Sequence, residues 1–148
     1  MEILVIAAVL IIDQWSKAVV QFSTSLPIEV IPNYFYITYL KNEGAAWSML
    51  AGKTVLLELI AFVAIGILLY GLLQVKKKKQ RLLIIAYALL ISGAAGNLID
   101  RLRFGYVRDF FEWYPFHYSF PVFNVADVAL TFGVILLVIG VWLTEKKA

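Results

Sequence analysis

A chain of 148 residues with 62% hydrophobic content and a mean hydropathy of +0.85 is too apolar for an ordinary soluble domain, where roughly 45–50% is usual. It reads as one integral membrane domain, residues 1–148, without room for a second. The absence of cysteine excludes disulfides and thiolate chemistry, and the net charge of +3 sits largely in a lysine cluster that marks topology rather than a nucleic-acid surface.

About 20 apolar residues cross a hydrocarbon core of roughly 30 Å, and four such runs are present. The first, residues 3–22, carries Asp13-Gln-Trp-Ser-Lys17. It lacks a basic leading region and holds a charged pair, so a cleavable signal peptide is not expected. Asp13 and Lys17 share a helix face with the anion first. A structural ion pair that docks this helix on its neighbours is the preferred role.

Residues 23–53 change character. Ile28-Glu-Val-Ile and Tyr34-Phe-Tyr-Ile-Thr-Tyr-Leu read as short strands bounded by turn residues. Such backbone cannot face lipid, so the segment belongs at the membrane surface, where Tyr and Phe are favoured. Asn42-Glu-Gly-Ala-Ala-Trp follows as a polar turn whose small residues let backbone approach a ligand.

The second span, residues 54–75, holds Glu58 near its start, placed to snorkel to the interface. Lys76-Lys-Lys-Lys-Gln-Arg81 then forms a basic knot that the positive-inside rule puts in the cytoplasm. The third and fourth spans cover about 82–103 and 124–143. With four spans, both termini and the knot share one side, with seven Lys/Arg there (76–79, 81, 146, 147) against five opposite (41, 53, 101, 103, 108). Every other polar motif then lies near the outer face.

Three of the four aspartates fall between Asn97 and Asp127. An Asp at the centre of a membrane helix costs roughly 2.5–3.5 kcal/mol, which makes it a functional candidate by default. Ser92-Gly-Ala-Ala-Gly96 permits close helix packing. Asn97, Asp100 and Arg101 follow at i, i+3 and i+4 on one face, and Arg101 can bind a carboxylate or phosphate. Asp109 lies in a loop of aromatics that continues from Phe110 to Phe120, and Asn124 and Asp127 open the fourth helix. If the loop folds back, Asp109 and Asp127 face each other and share one proton. One then serves as base toward water and the other as acid toward a peptide bond, without a metal or other cofactor.

Competing chemistries are thinner. With no Cys and one histidine, His117, a zinc site would rest on carboxylates. Ser92 is explained by packing, and no glycine-rich loop has phosphate-binding spacing. The standing alternative is a proton- or ion-coupled transporter.

Taken together, Asp13-Gln-Trp-Ser-Lys17, Asn42-Glu-Gly-Ala-Ala-Trp-Ser48, Gly93-Ala-Ala-Gly-Asn-Leu-Ile-Asp-Arg101, Val107-Arg-Asp-Phe110 and Phe123-Asn-Val-Ala-Asp127 closely resemble bacterial lipoprotein signal peptidase, or signal peptidase II, over essentially the whole chain. The resemblance implies an all-α membrane fold of four transmembrane helices with a small β-rich extracytoplasmic cradle and a short mobile loop or helix, supplied by residues 23–53 and 104–123. It implies an aspartyl protease of the bacterial cytoplasmic membrane that removes signal peptides from prolipoproteins, cutting before a diacylglyceryl cysteine. The catalytic pair falls on Asp109 and Asp127. Asn42, Asn97, Asp100, Arg101 and Asn124 match positions that bind substrate or hold the pair, and Asp13 and Lys17 match structural polar positions. The implied partners are the lipidated precursor, membrane lipid and a globomycin-type inhibitor, with no nucleic acid. One departure is Arg108, where the family usually has valine. Pointing inward it would favour ionised Asp109; it is expected to point outward, to water or lipid headgroups.

Overall fold

The apolar runs fold as helices because backbone in hydrocarbon must satisfy its own N–H and C=O groups. In the computed structural model, which describes residues 1–44, 49–50 and 52–146 and only the backbone of His117, these helices are α1 (Glu2–Gln21), α2 (Thr54–Lys77), α3 (Arg81–Phe104) and α4 (Val125–Glu145). All four are long and apolar enough to cross a membrane. Helix α3 is the centre of the bundle and packs against the other three. Away from it, Ile3, Leu4, Ile11, Phe62, Val63, Ile67 and Val138 are exposed, as side chains solvated by lipid should be. At the end bearing the lysine knot, Leu72, Val75, Leu83, Ile84 and Ile91 form an apolar core, and Lys76 pairs with Glu2.

Small residues bring α3 and α4 together, as the stripe from Ser92 to Gly96 predicts. A Cβ on Gly93 would stand 2.5 Å from the Ala126 carbonyl oxygen, and one on Gly96 would stand 2.7 Å from Asp13 Oδ2. Gly96 is therefore where α1, α3 and α4 converge on a buried carboxylate.

At the opposite end from the knot, three strands form one antiparallel sheet in the order β1 (Ile28–Ile31), β2 (Phe35–Asn42), β3 (Val107–Trp113). The first two are the predicted strands. The third is a correction: Asp109 stands on a strand where the sequence predicts an aromatic loop. Helix α3 ends at Gly105, whose left-handed φ of +78° closes the cap with its N–H on the Arg101 carbonyl, and the chain turns at once into β3. Asp109 thus rides on a strand held by β2 on one side and by Phe123 on the other, whose carbonyl accepts from Phe110 and Phe111. Past β3 the chain makes a short 3-10 turn at Pro115–His117 before α4. The side chain of His117, and Ala45 to Ser48 of the Asn42 motif, lie outside the described residues.

Candidate active site

The first carboxylate comes from the start of α4. Asn124 is extended and caps the helix: its Oδ1 accepts from the Asp127 N–H at 3.0 Å, while its own N–H donates to Asp127 Oδ2 at 3.1 Å. This reciprocal capping box locks the Asp127 side chain at the head of the helix.

The second carboxylate comes from β3. Leu40 pairs with Asp109 and Asn42 with Val107, so Asn42 and Asp109 are diagonal neighbours on one face of the sheet, within reach of each other. Asn42 Nδ2 donates to Asp109 Oδ2 at 2.8 Å. Asn124 Nδ2 donates to the other oxygen, Oδ1, at 2.6 Å. Asn97, on α3, completes the set by donating from Nδ2 to Asp127 Oδ1 at 2.8 Å. Each carboxylate oxygen of both aspartates therefore receives one N–H.

The three amides have no choice of direction, because each Oδ1 is committed elsewhere. Asn42 Oδ1 accepts from the Gly44 N–H and Asn124 Oδ1 from the Asp127 N–H. Asn97 Oδ1 accepts from the Lys17 ammonium at 3.0 Å and from Asn124 Nδ2 at 3.1 Å. A cation on α1 thus sets which end of Asn97 faces Asp127.

Asp109, Asp127, Asn42, Asn97 and Arg101 line one cavity of about 690 Å³ whose remaining walls are mainly apolar side chains of α2, α3, α4 and the segment from Phe120 to Phe123. Burial pushes the Asp109 carboxyl up to about 7, and the neighbouring charge of Asp127 pushes the same way, against the amides of Asn42 and Asn124. A carboxyl held near neutral pH beside a second carboxylate is suited to acid–base work on a substrate in the cavity. Arg101 reaches over this cavity and donates from Nη2 to the Gly44 carbonyl at 2.9 Å, which ties the beginning of the polar turn to α3.

Behind the pair lies a second polar layer. Lys17 Nζ stands 2.9 Å from Asp13 and 3.6 Å from Asp100, with all three side chains fully buried. Asp13 Oδ1 also accepts from the Ala126 N–H at 2.9 Å, so the predicted i, i+4 pair does dock α1 on α3 and α4. One expectation is corrected here. Arg108 does not point outward: it is 3% exposed, and its guanidinium meets Asp100, Gln14 and Gln21. The reason is strand alternation, which turns residue 108 to the opposite face from Asp109, and that face is covered by α1 and α3. Asp100, expected with Asn97 and Arg101 as support for the pair, lies in this rear layer, where it accepts from Arg108 and stands beside Lys17. Gln14 stands within the Asp13–Lys17 motif without a role of its own, and Gln21 is outside every motif read from the sequence. Their signal was available, since positions 14, 17 and 21 repeat at helical spacing inside an apolar run.

The sequence pattern of signal peptidase (SPase) II matches residues 5–143. The lipoprotein signal peptidase of Anoxybacillus flavithermus is 46% identical over 144 residues, covering 94% of this chain and 83% of its own. The chain belongs to the signal peptidase II family. A second lipoprotein signal peptidase, from Staphylococcus carnosus, is 41% identical, with 95% of this chain and 89% of its own covered. A solved bacterial membrane enzyme superposes with a TM-score of 0.89 at 36% identity, over 99% of this chain and 90% of that one. As a signal peptidase II the chain is an aspartic endopeptidase, and the four apolar helices with one small sheet are the fold expected for such a membrane protein.

Proposed function

We propose that Asp109 and Asp127 are the catalytic pair of an intramembrane endopeptidase that removes signal peptides from prolipoproteins, cutting before the diacylglyceryl cysteine. The observation that carries this reading is that both carboxylates open onto one cavity, each held on both oxygens by N–H donors, with Asp109 pushed up to about 7 by burial and by Asp127. Below that pH Asp109 holds the shared proton and Asp127 is the base. Asp127 takes a proton from water as the water oxygen attacks the scissile carbonyl carbon, and Asp109 gives its proton to the carbonyl oxygen. In the collapse Asp109 recovers a proton from the diol while Asp127 delivers one to the amine, and the C–N bond breaks. Arg101 and Asn42 border the cavity and hold the substrate backbone.

The mainly apolar remainder of the cavity, between α2 and α4, suits acyl chains, and its polar end suits the peptide bond. A globomycin-type cyclic peptide would occupy the same space. The chain works as one membrane peptidase unit in the bacterial cytoplasmic membrane, with the lysine knot and both termini cytoplasmic and the sheet and the aspartates at the outer face. No metal takes part. Purified enzyme in detergent should cleave a lipidated precursor at least tenfold faster than the same precursor without its diacylglyceryl group, and chelators should leave the rate unchanged. Equal cleavage of both precursors would remove the lipid from the recognition; loss on chelation would replace the pair by a metal site.

A further inference from the structure

The rear layer carries four buried charges in balance, Asp13 and Asp100 against Lys17 and Arg108. Lys17 is accounted for by Asn97, and Asp13 by the head of α4. Arg108 is different, since it neighbours Asp109 in the chain yet every polar contact of its side chain faces away from the cavity. Its Nε donates to Asp100 Oδ2 at 3.1 Å and Nη2 to Asp100 Oδ1 at 2.7 Å. Nη2 also donates to Gln14 Oε1 at 3.0 Å, and Nη1 to Gln21 Oε1 at 2.9 Å. The guanidinium carbon lies 4.6 Å from the centre of the Phe104 ring, close enough for a cation–π contact. Even the Arg108 backbone N–H donates to Asp100 Oδ2, at 2.9 Å.

These contacts join three elements. Asp100 and Phe104 belong to α3, while Gln14 and Gln21 stand about two turns apart on α1. A planar fork with five donors can hold such a set at once; a point-charge ammonium cannot. Among the described residues the Arg108 guanidinium makes both hydrogen bonds that join β3 to α1. A shift of β3 would move Asp109 relative to Asp127, which α4 holds by its own cap.

We propose that Arg108 is a positioning residue for Asp109: its fork clamps β3 to α1 and α3, so that the carboxylate on the other face of the strand is held in register with Asp127. This rests on the reading of Asp109 as catalytic. The test uses the full-length enzyme in detergent, with cleavage of a lipidated precursor measured as kcat and KM for monodisperse protein that melts well above the assay temperature. Arg108→Met should lower kcat at least 30-fold with KM within twofold. Arg108→Lys, which keeps a cation for Asp100 and loses the glutamines, should recover part of that loss. Gln21→Leu, which removes one arm far from the cavity, should lower kcat about threefold. A kcat within twofold of the unaltered enzyme for folded Arg108→Met, or a loss confined to KM, would overturn the proposal. If Arg108→Met does not fold, unchanged kcat in both Arg108→Lys and Gln21→Leu would overturn it instead. Asp109→Asn, assayed in parallel, separates the two claims: if it stays active the catalytic reading fails and the clamp with it, whereas an inactive Asp109→Asn beside unchanged Arg108 variants sinks the clamp alone.

Discussion

Every polar side chain at the site has its direction set by a partner, and the consequences begin at single residues. Asp109 is pushed up to about 7, so its protonated fraction is nearly complete at pH 5, about one half at pH 7 and about one tenth at pH 8, and a role as acid requires that proton. The sign follows directly: cleavage should fall as pH rises through about 7. A pH profile of kcat/KM for the lipidated precursor, which reports the groups of the free enzyme, checks this, and a value that climbs through that range would instead make Asp109 the base. Asn97 offers a second check. Asn97→Ala leaves Lys17 with its buried carboxylates but removes the donor to Asp127 Oδ1. A hydrogen bond to a charged group is worth about 1.5–3 kcal/mol, so kcat should fall roughly tenfold to a hundredfold with little change in KM. The two aspartates were legible in the sequence as carboxylates too costly to leave beside apolar segments, whereas the three asparagines stood out as site residues only through the family resemblance. Arg108 was not legible, because its direction depends on whether residue 107 starts a strand or a loop.

Helices were the easiest elements to read, since length and apolarity alone determine a span. The third strand was the hardest. Val107-Arg-Asp-Phe-Phe-Glu-Trp puts adjacent charges at its second and third residues, and its first four residues are buried on both faces, so the alternation that marks a half-exposed strand is absent. Only pairing with β2, over sixty residues earlier in the chain, defines it. The α3 stripe was legible as a packing surface, but not that one of its glycines faces a carboxylate. Gly96→Val would drive a side chain into Asp13 Oδ2 and the Ala126 Cβ, 2.7 and 3.2 Å from where its Cβ must sit. Overpacking of this kind costs about 1–3 kcal/mol. The variant should melt several degrees lower in detergent and lose activity, whereas Gly66→Ala, with nothing within 4 Å, should match the unaltered protein by the same thermal-shift measurement.

At the scale of the molecule, one end of the bundle holds an apolar core and a basic knot, and the other holds a sheet, two carboxylates and a cavity walled in part by α2 and α4. This division was visible in the sequence as soon as the charged and strand-rich segments were assigned to opposite ends. What remained hidden was how the rear layer closes: the Asp13–Lys17 pair on α1 was expected, but its meeting with Asp100 of α3 and Arg108 of β3 exists only in the folded chain. The front layer, the pair Asp109 and Asp127, is where catalysis is proposed, and one assay tests it most directly. Asp109→Asn and Asp127→Asn should each keep the monodisperse profile and melting behaviour of the unaltered protein and lose at least about a hundredfold in cleavage of a diacylglyceryl precursor, in line with the 10²–10⁴-fold contribution of a positioned acid or base. Near-normal cleavage by either folded variant would contradict the catalytic pair.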